Sequence, residues 1–199
     1  MCRHQFKPIN IKKLFSILSF LVASTFIFAQ TSWKADPAHS HVAFTVVHMG
    51  ISDVSGIFKT FDLAVASQAK DFSDAKVNFS IDVNSIDTNV DARDNHLKSP
   101  DFFDAAQFDK ITFNSTSLKA DKTNTYILKG NLTMHGVTKP VTMTMVYRGE
   151  LTDKKTGKVT KGLQVYGDVK RSDFGIGGKF PDTMLSDIVR IKADFEVKQ

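Results

Sequence analysis

The sequence predicts an all-β protein: a single antiparallel eight-stranded barrel, with one short helix in the connection between strands 3 and 4. Two observations carry this. Apolar and polar residues alternate with period two in most runs, as in Val77, Phe79, Ile81 and Val83 against Asn78, Ser80, Asp82 and Asn84. That period belongs to strands buried on one face only. The runs also lack helical crossovers between them, so antiparallel closure is the simplest way to remove exposed sheet edges. A barrel of about eight strands has room for packed side chains or for one small apolar ligand.

Residues 1–29 read as a leader rather than as part of the fold. Arg3, Lys7, Lys12 and Lys13 form a basic stretch, Leu14 to Phe28 is apolar, and Ile27-Phe28-Ala29 offers a cleavage site before Gln30. This is the layout of a secretory signal peptide, and the run is shorter than the ~18 residues of a membrane span. Cys2 precedes the apolar run and cannot serve as a lipoprotein attachment point. The expectation is a periplasmic or secreted protein whose barrel domain occupies residues 30–199. Without the leader's four basic residues, the 26 Lys and Arg fall almost level with the 21 Asp and Glu. A near-neutral mature chain gives no case for nucleic acid. It has no cysteine, and at roughly 170 residues it needs no disulfide to bury a core.

The eight strands are predicted near His41–His48, Val54–Val65, Ala75–Val83, Lys110–Leu118, Tyr126–Met134, Pro140–Leu151, Gly162–Lys170 and Asp187–Val197. In the fifth, Tyr126, Leu128, Gly130, Leu132 and Met134 share a face. In the sixth, Val141, Met143, Met145 and Tyr147 do. In the last, Val189, Ile191, Ala193, Phe195 and Val197 point inward. His135-Gly136 is a turn between the fifth and sixth strands, and Asp153 to Lys158 is a charged hairpin tip. Asp91 to Lys98 contains good helix formers and no β-branched residue, and Ser99-Pro100 ends it. Phe102 and Phe103 follow, either as part of a lid at the barrel mouth or as a plug in one end.

Several phrases carry a family likeness. They are Trp33 to Ser40, Gly56-Ile57-Phe58, Ser85-Ile86-Asp87-Thr88 with Arg93 to Ser99, Gly130 to Val141, and Arg171 to Ile176. Together, and in this order, they resemble the YceI-like family of lipocalin-like barrels that bind polyisoprenoid lipids. One departure is Phe108-Asp109, where the family has an aromatic–proline pair. The resemblance implies an exported protein that holds an isoprenoid lipid, such as a polyprenyl or quinone-type chain, with no other cofactor and at most transient membrane contact for lipid exchange. The oligomeric state stays open, a homodimer included.

The residues themselves also suit a lipid. Met134, Met143 and Met145 are flexible and polarizable, useful in a wall that must fit a flexible chain. Phe44, Phe58, Phe79 and Phe113 offer broad apolar surfaces. With Ile81, Phe102, Phe103, Leu132, Phe174 and Phe195 they make up the candidate tunnel, and Arg93, Asp94, His96 and Arg171 are candidates for a head group at its mouth. The rival readings are a solid, ligand-free barrel and an exported metal-binding or hydrolytic protein. His39 and His41, two apart on a strand, could share a metal with Asp36 or His48. Against this, His48 falls on the opposite face from His41, and the blander reading is that His39 and Ser40 hydrogen-bond backbone where the strand begins. No Gly-x-Ser-x-Gly elbow or mature cysteine supports nucleophilic catalysis, and the chain reads as a binding protein rather than an enzyme.

Overall fold

The computed structural model describes residues 31–199, so the leader and its cleavage point lie outside the described residues. The strands are β1 (Thr31–Ala35), β2 (His41–His48), β3 (Ser52–Phe58), β4 (Phe61–Ser67), β5 (Lys76–Asp82), β6 (Ile86–Asp87), β7 (Lys110–Lys122), β8 (Thr125–Met134), β9 (Val137–Thr152), β10 (Val159–Lys170) and β11 (Ile188–Lys198), with the helix α1 (Asp91–Lys98) between β6 and β7. The ring runs β1-β4-β5-β7-β8-β9-β10-β11 and closes where β11 pairs with β1. Beyond bends, β2, β3 and β6 continue β1, β4 and β5, so the barrel has eight staves, all antiparallel.

These are the eight predicted strands, with two differences. The first stave begins at Thr31 rather than His41, because Trp33 turns inward opposite Val65. It then bends at Pro37–His39, where Asp36 accepts the Ala38 N–H at 3.1 Å. The second stave is broken at Lys59-Thr60. There the lost ladder bonds are replaced by Ser85, whose carbonyl and hydroxyl accept the Lys59 and Thr60 amides at 3.1 and 3.0 Å. The predicted helix and its end at Ser99 stand as read.

The predicted turn between β8 and β9 forms with both residues left-handed, φ 50° at His135 and 72° at Gly136. That geometry matches the twist of the flanking strands. Gly130 has a different task. A Cβ there would lie 2.3 Å from the Phe113 ring and 2.6 Å from the Asn114 carbonyl oxygen. Only a bare backbone lets the Phe113 ring lie across the sheet.

One end of the barrel is closed. Trp33, Phe72 and Tyr147 meet edge-to-face, with ring centroids 5.6 and 5.9 Å apart. Phe72 comes from the β4–β5 connection with a left-handed backbone, φ 61°, which is costly for a bulky residue. Its complete burial offsets that cost, and Asp74 pins the loop by accepting from the Ser67 hydroxyl and the Gln68 and Ala69 amides. Among these rings lies Lys161, 4 % exposed, with Nζ 4.6 Å from the Trp33 ring centroid and 4.7 Å from that of Phe72. The ammonium donates to the Lys70 carbonyl at 2.6 Å and stands 3.8 Å from Glu150.

Candidate functional site: an apolar cavity with a polar mouth

The other end of the barrel opens into a cavity of about 420 Å³. Its size falls in the range of small-molecule sites. Period-two alternation builds its walls: Val42 and Phe44 from β2, Val77, Phe79 and Ile81 from β5, Leu128 and Leu132 from β8, Ala193 and Phe195 from β11. Helix α1 and the connections around it form the mouth. Phe103 packs edge-on to Phe58 at 6.1 Å, and Phe102 stacks on Phe180 at 5.0 Å with the His96 ring edge-on to it.

Of the predicted tunnel residues, Phe44, Phe58, Phe79, Ile81, Phe102, Phe103, Phe113, Leu132, Met134, Met143 and Phe195 line this cavity. Met145 and Phe174 do not. Met145 shares the inward parity of Met143, but it sits opposite Tyr126, one step nearer the closed end, and is fully buried. Phe174 is packed with Phe102, Met143, Val169 and Ile176 without reaching the cavity surface. Sequence reasoning also missed lining residues. Phe180, Met184 and Leu185 come from the β10–β11 connection, where the only signal was apolar residues in a glycine-rich loop.

The four candidate mouth residues separate by their hydrogen bonds. Arg171 is 7 % exposed, and Nε, Nη1 and Nη2 donate to the carbonyls of Ser186, Ile176, Gly177, Phe180 and Leu185 at 2.7–3.2 Å. A guanidinium has five N–H groups, and all are spent. Arg171 is thus a clamp on the 172–187 connection, not a head-group donor. Asp94 is buried, and one carboxylate oxygen accepts from the Thr88 amide at 2.9 Å and the Thr88 hydroxyl at 2.5 Å. It does not line the cavity; its work is to orient Thr88.

Thr88 in turn orients Arg93, accepting from Nε at 2.8 Å on its hydroxyl and from Nη2 at 2.7 Å on its carbonyl. Arg93 lines the cavity, and its remaining N–H groups have no partner among the described residues. His96 also lines it, half-exposed, with Nε2 3.6 Å from Asp101. Lys179 beside Asp101 holds that carboxyl below the usual range. Among the described residues lining the cavity, Arg93 is thus a positioned cation with N–H groups to spare beside an apolar wall.

The histidine pair does not converge as the metal reading required. His39 lies in the turn at Pro37–His39 and His41 on β2 beside Asp194, at 3.5 Å. Among the described residues, the one group with metal-like spacing is Asp36, His39 and Glu196, on the outer surface near the closed end. Lys198 already occupies it, with Nζ 2.5 Å from Asp36, and chiefly that ammonium, then His39, pulls the Asp36 carboxyl well below its ordinary range. Ser40 does bond backbone, accepting the Glu196 amide at 3.1 Å, whereas His39 turns to the Asp36 carboxylate.

The family model for the YceI-like domain matches residues 33–197. The chain belongs to the YceI-like family. Among YceI-like relatives, a UPF0312 protein of Staphylococcus aureus is 39 % identical over 146 residues, 73 % of this chain and 82 % of the relative. The structure is similar to Burkholderia cenocepacia BcnA, with a TM-score of 0.74 at 24 % identity, over 83 % of this chain and 99 % of that one. It is also similar to the Campylobacter jejuni YCEI protein, with a TM-score of 0.69 at 28 % identity, over 75 % of this chain and 86 % of that one. A polyisoprenoid binding domain from Saccharophagus degradans shares the fold at a TM-score of 0.64 and 14 % identity, over 85 % of this chain and 98 % of the domain.

Proposed function

We propose that this YceI-like protein is an exported, non-enzymatic carrier that holds one isoprenoid lipid, with its tail in the barrel and its polar head at Arg93. The observation that carries this is the cavity's polarity gradient. Its walls are aliphatic and aromatic, while Arg93, His96 and Thr88 gather beside α1. An apolar tail gains roughly 0.8 kcal/mol per buried CH₂, so a chain of several isoprene units needs no polar contact along its length. The Saccharophagus degradans domain of the same fold supports the choice of lipid class. Transport, storage and sequestration all follow from the same grip.

Mass spectrometry of an organic extract from protein purified out of its native host should reveal an isoprenoid lipid. Leu132→Asp supplies the control. Leu132 is only half-buried and lines the open cavity, so water can reach a carboxylate there while the cavity is empty. A bound tail would strip that water at a cost of several kcal/mol. The variant should keep its circular dichroism and lose lipid content by about tenfold or more. A folded variant with wild-type lipid content would remove this cavity as the site.

Export rests on the leader. N-terminal sequencing of the protein recovered outside the cytoplasm should begin at Gln30 or within a few residues of it. An intact chain starting at Met1 and held in the membrane would overturn the periplasmic or secreted reading.

A further inference from the structure

Three large exposed apolar side chains at the mouth belong to one small rim. Ile51 is 87 % exposed and Met49 52 %, both in the three-residue connection between β2 and β3, and Met184, on the loop beside them, is 41 % exposed. The two segments are tied together. The Met49 amide donates to the Met184 carbonyl at 2.9 Å, the Ser186 amide to the Val47 carbonyl at 2.9 Å, and His48 bridges to Leu185. Met49 and Gly50 are both left-handed, φ 55° and 71°. Such turns favour Asn, Asp and Gly, and nothing in the local geometry asks for methionine or isoleucine. Met184 also lines the cavity, so the rim and the cavity wall are one continuous apolar surface.

We propose that Met49, Ile51 and Met184 form a docking rim that dips into a lipid bilayer and sets the mouth against it while lipid passes. This rests on the lipid-carrier reading and names where the exchange takes place. A second copy of the chain is a poor occupant, since three side chains cannot supply the ~800 Å² per partner of a standard protein interface. The charges nearby also decide what kind of membrane fits. Arg190 is paired with Asp53 at 3.6 Å and Lys179 with Asp101, while the Asp182 carboxylate accepts the Asp187 amide. Among the described residues, no basic belt surrounds the rim. Its contact is with apolar lipid tails beneath a zwitterionic surface rather than with anionic head groups.

The test uses the full chain, phosphatidylcholine vesicles carrying a fluorescent polyprenol, and the variants Ile51→Asp and Ile51→Leu. Ile51 is almost wholly exposed, so neither change threatens the fold. Ile51→Asp should lower the protein fraction that floats with vesicles by about tenfold and slow loading from vesicles to the same degree. Loading from polyprenol in detergent solution should stay unchanged, and Ile51→Leu should behave as wild type in both. Flotation should not fall with added salt. Undiminished flotation of Ile51→Asp would overturn the rim, as would binding that requires anionic lipid. So would a wild-type dimer in solution that Ile51→Asp dissociates, since the face would then be an interface between copies. Failure to load from detergent solution would instead count against the carrier reading, because flotation reports on the rim whether or not the cavity takes lipid.

Discussion

Replacing Arg171 with methionine should cost about 4 kcal/mol of stability and loosen the whole 172–187 connection. Five carbonyls converge on this one guanidinium from residues 176 to 186, and four of its contacts are 3.0 Å or shorter. Hydrogen bonds from a charged donor are the stronger kind, and the change strands carbonyls of the turn, although that of Gly177 keeps the Phe180 amide at 3.0 Å. Arg171→Lys should recover little, because an ammonium has three donors and no planar fork. Urea denaturation reads the stability, and amide exchange at Gly177, Phe180 and Leu185 reads the loop. The same loop supplies Phe180, Met184 and Leu185 to the cavity, so lipid retention should fall with it. A stability within about 1 kcal/mol of wild type would show that the clamp is redundant.

Reversing the charge at Lys161 should be comparably severe. Lys161→Glu would place a carboxylate against the electron-rich faces of Trp33 and Phe72, beside the Lys70 carbonyl and close to Glu150. Every one of those neighbours favours a cation. A buried charge stripped of its partners costs about 3–5 kcal/mol. Lys161→Met keeps the aliphatic stem and loses the cation–π contacts, the Lys70 bond and the Glu150 ion pair, for about 2 kcal/mol. Thermal or urea unfolding of the two variants separates the contributions. If Lys161→Met is as stable as wild type, the cage is packing alone and the charge is incidental.

The barrel was legible because its staves obey period two with few exceptions, and β5, β8, β9 and β11 bury or half-bury the residues that alternation assigned inward. Lys161 is the exception that alternation could not interpret. Its position on β10 points inward, but only three rings and a carbonyl brought together by distant segments make an inward lysine tolerable. Parity also says nothing about depth. Met143 and Met145 are equivalent in sequence, yet one faces the cavity and the other lies nearer the closed end. For Arg93 and Arg171 the residue type told of a donor but not of its acceptors. Those acceptors are backbone carbonyls and, for Arg93, also the Thr88 hydroxyl, in segments whose course has no periodic signature. The first stave was cut short because Thr31–Ala35 carries a single large apolar residue, Trp33, before the bend at Pro37.

The closure of the ring has a consequence for how the chain reaches this state. The seam joins the first and last described staves: β11 pairs with β2 from Arg190↔Thr45 to Asp194↔His41, and with β1 at Lys34↔Lys198 and Ala35↔Val197. Contacts this distant along the chain return free energy only after nearly the whole loop between them has been ordered. The hairpins from β7 to β10 can form from neighbouring residues, but the first stave has only one neighbour until the last residues are present. Until then the unpaired edges of β2 and β10 offer their amides and carbonyls to any other strand. The final eleven-residue strand therefore both completes the barrel and ends the period in which the polypeptide is most prone to aggregate.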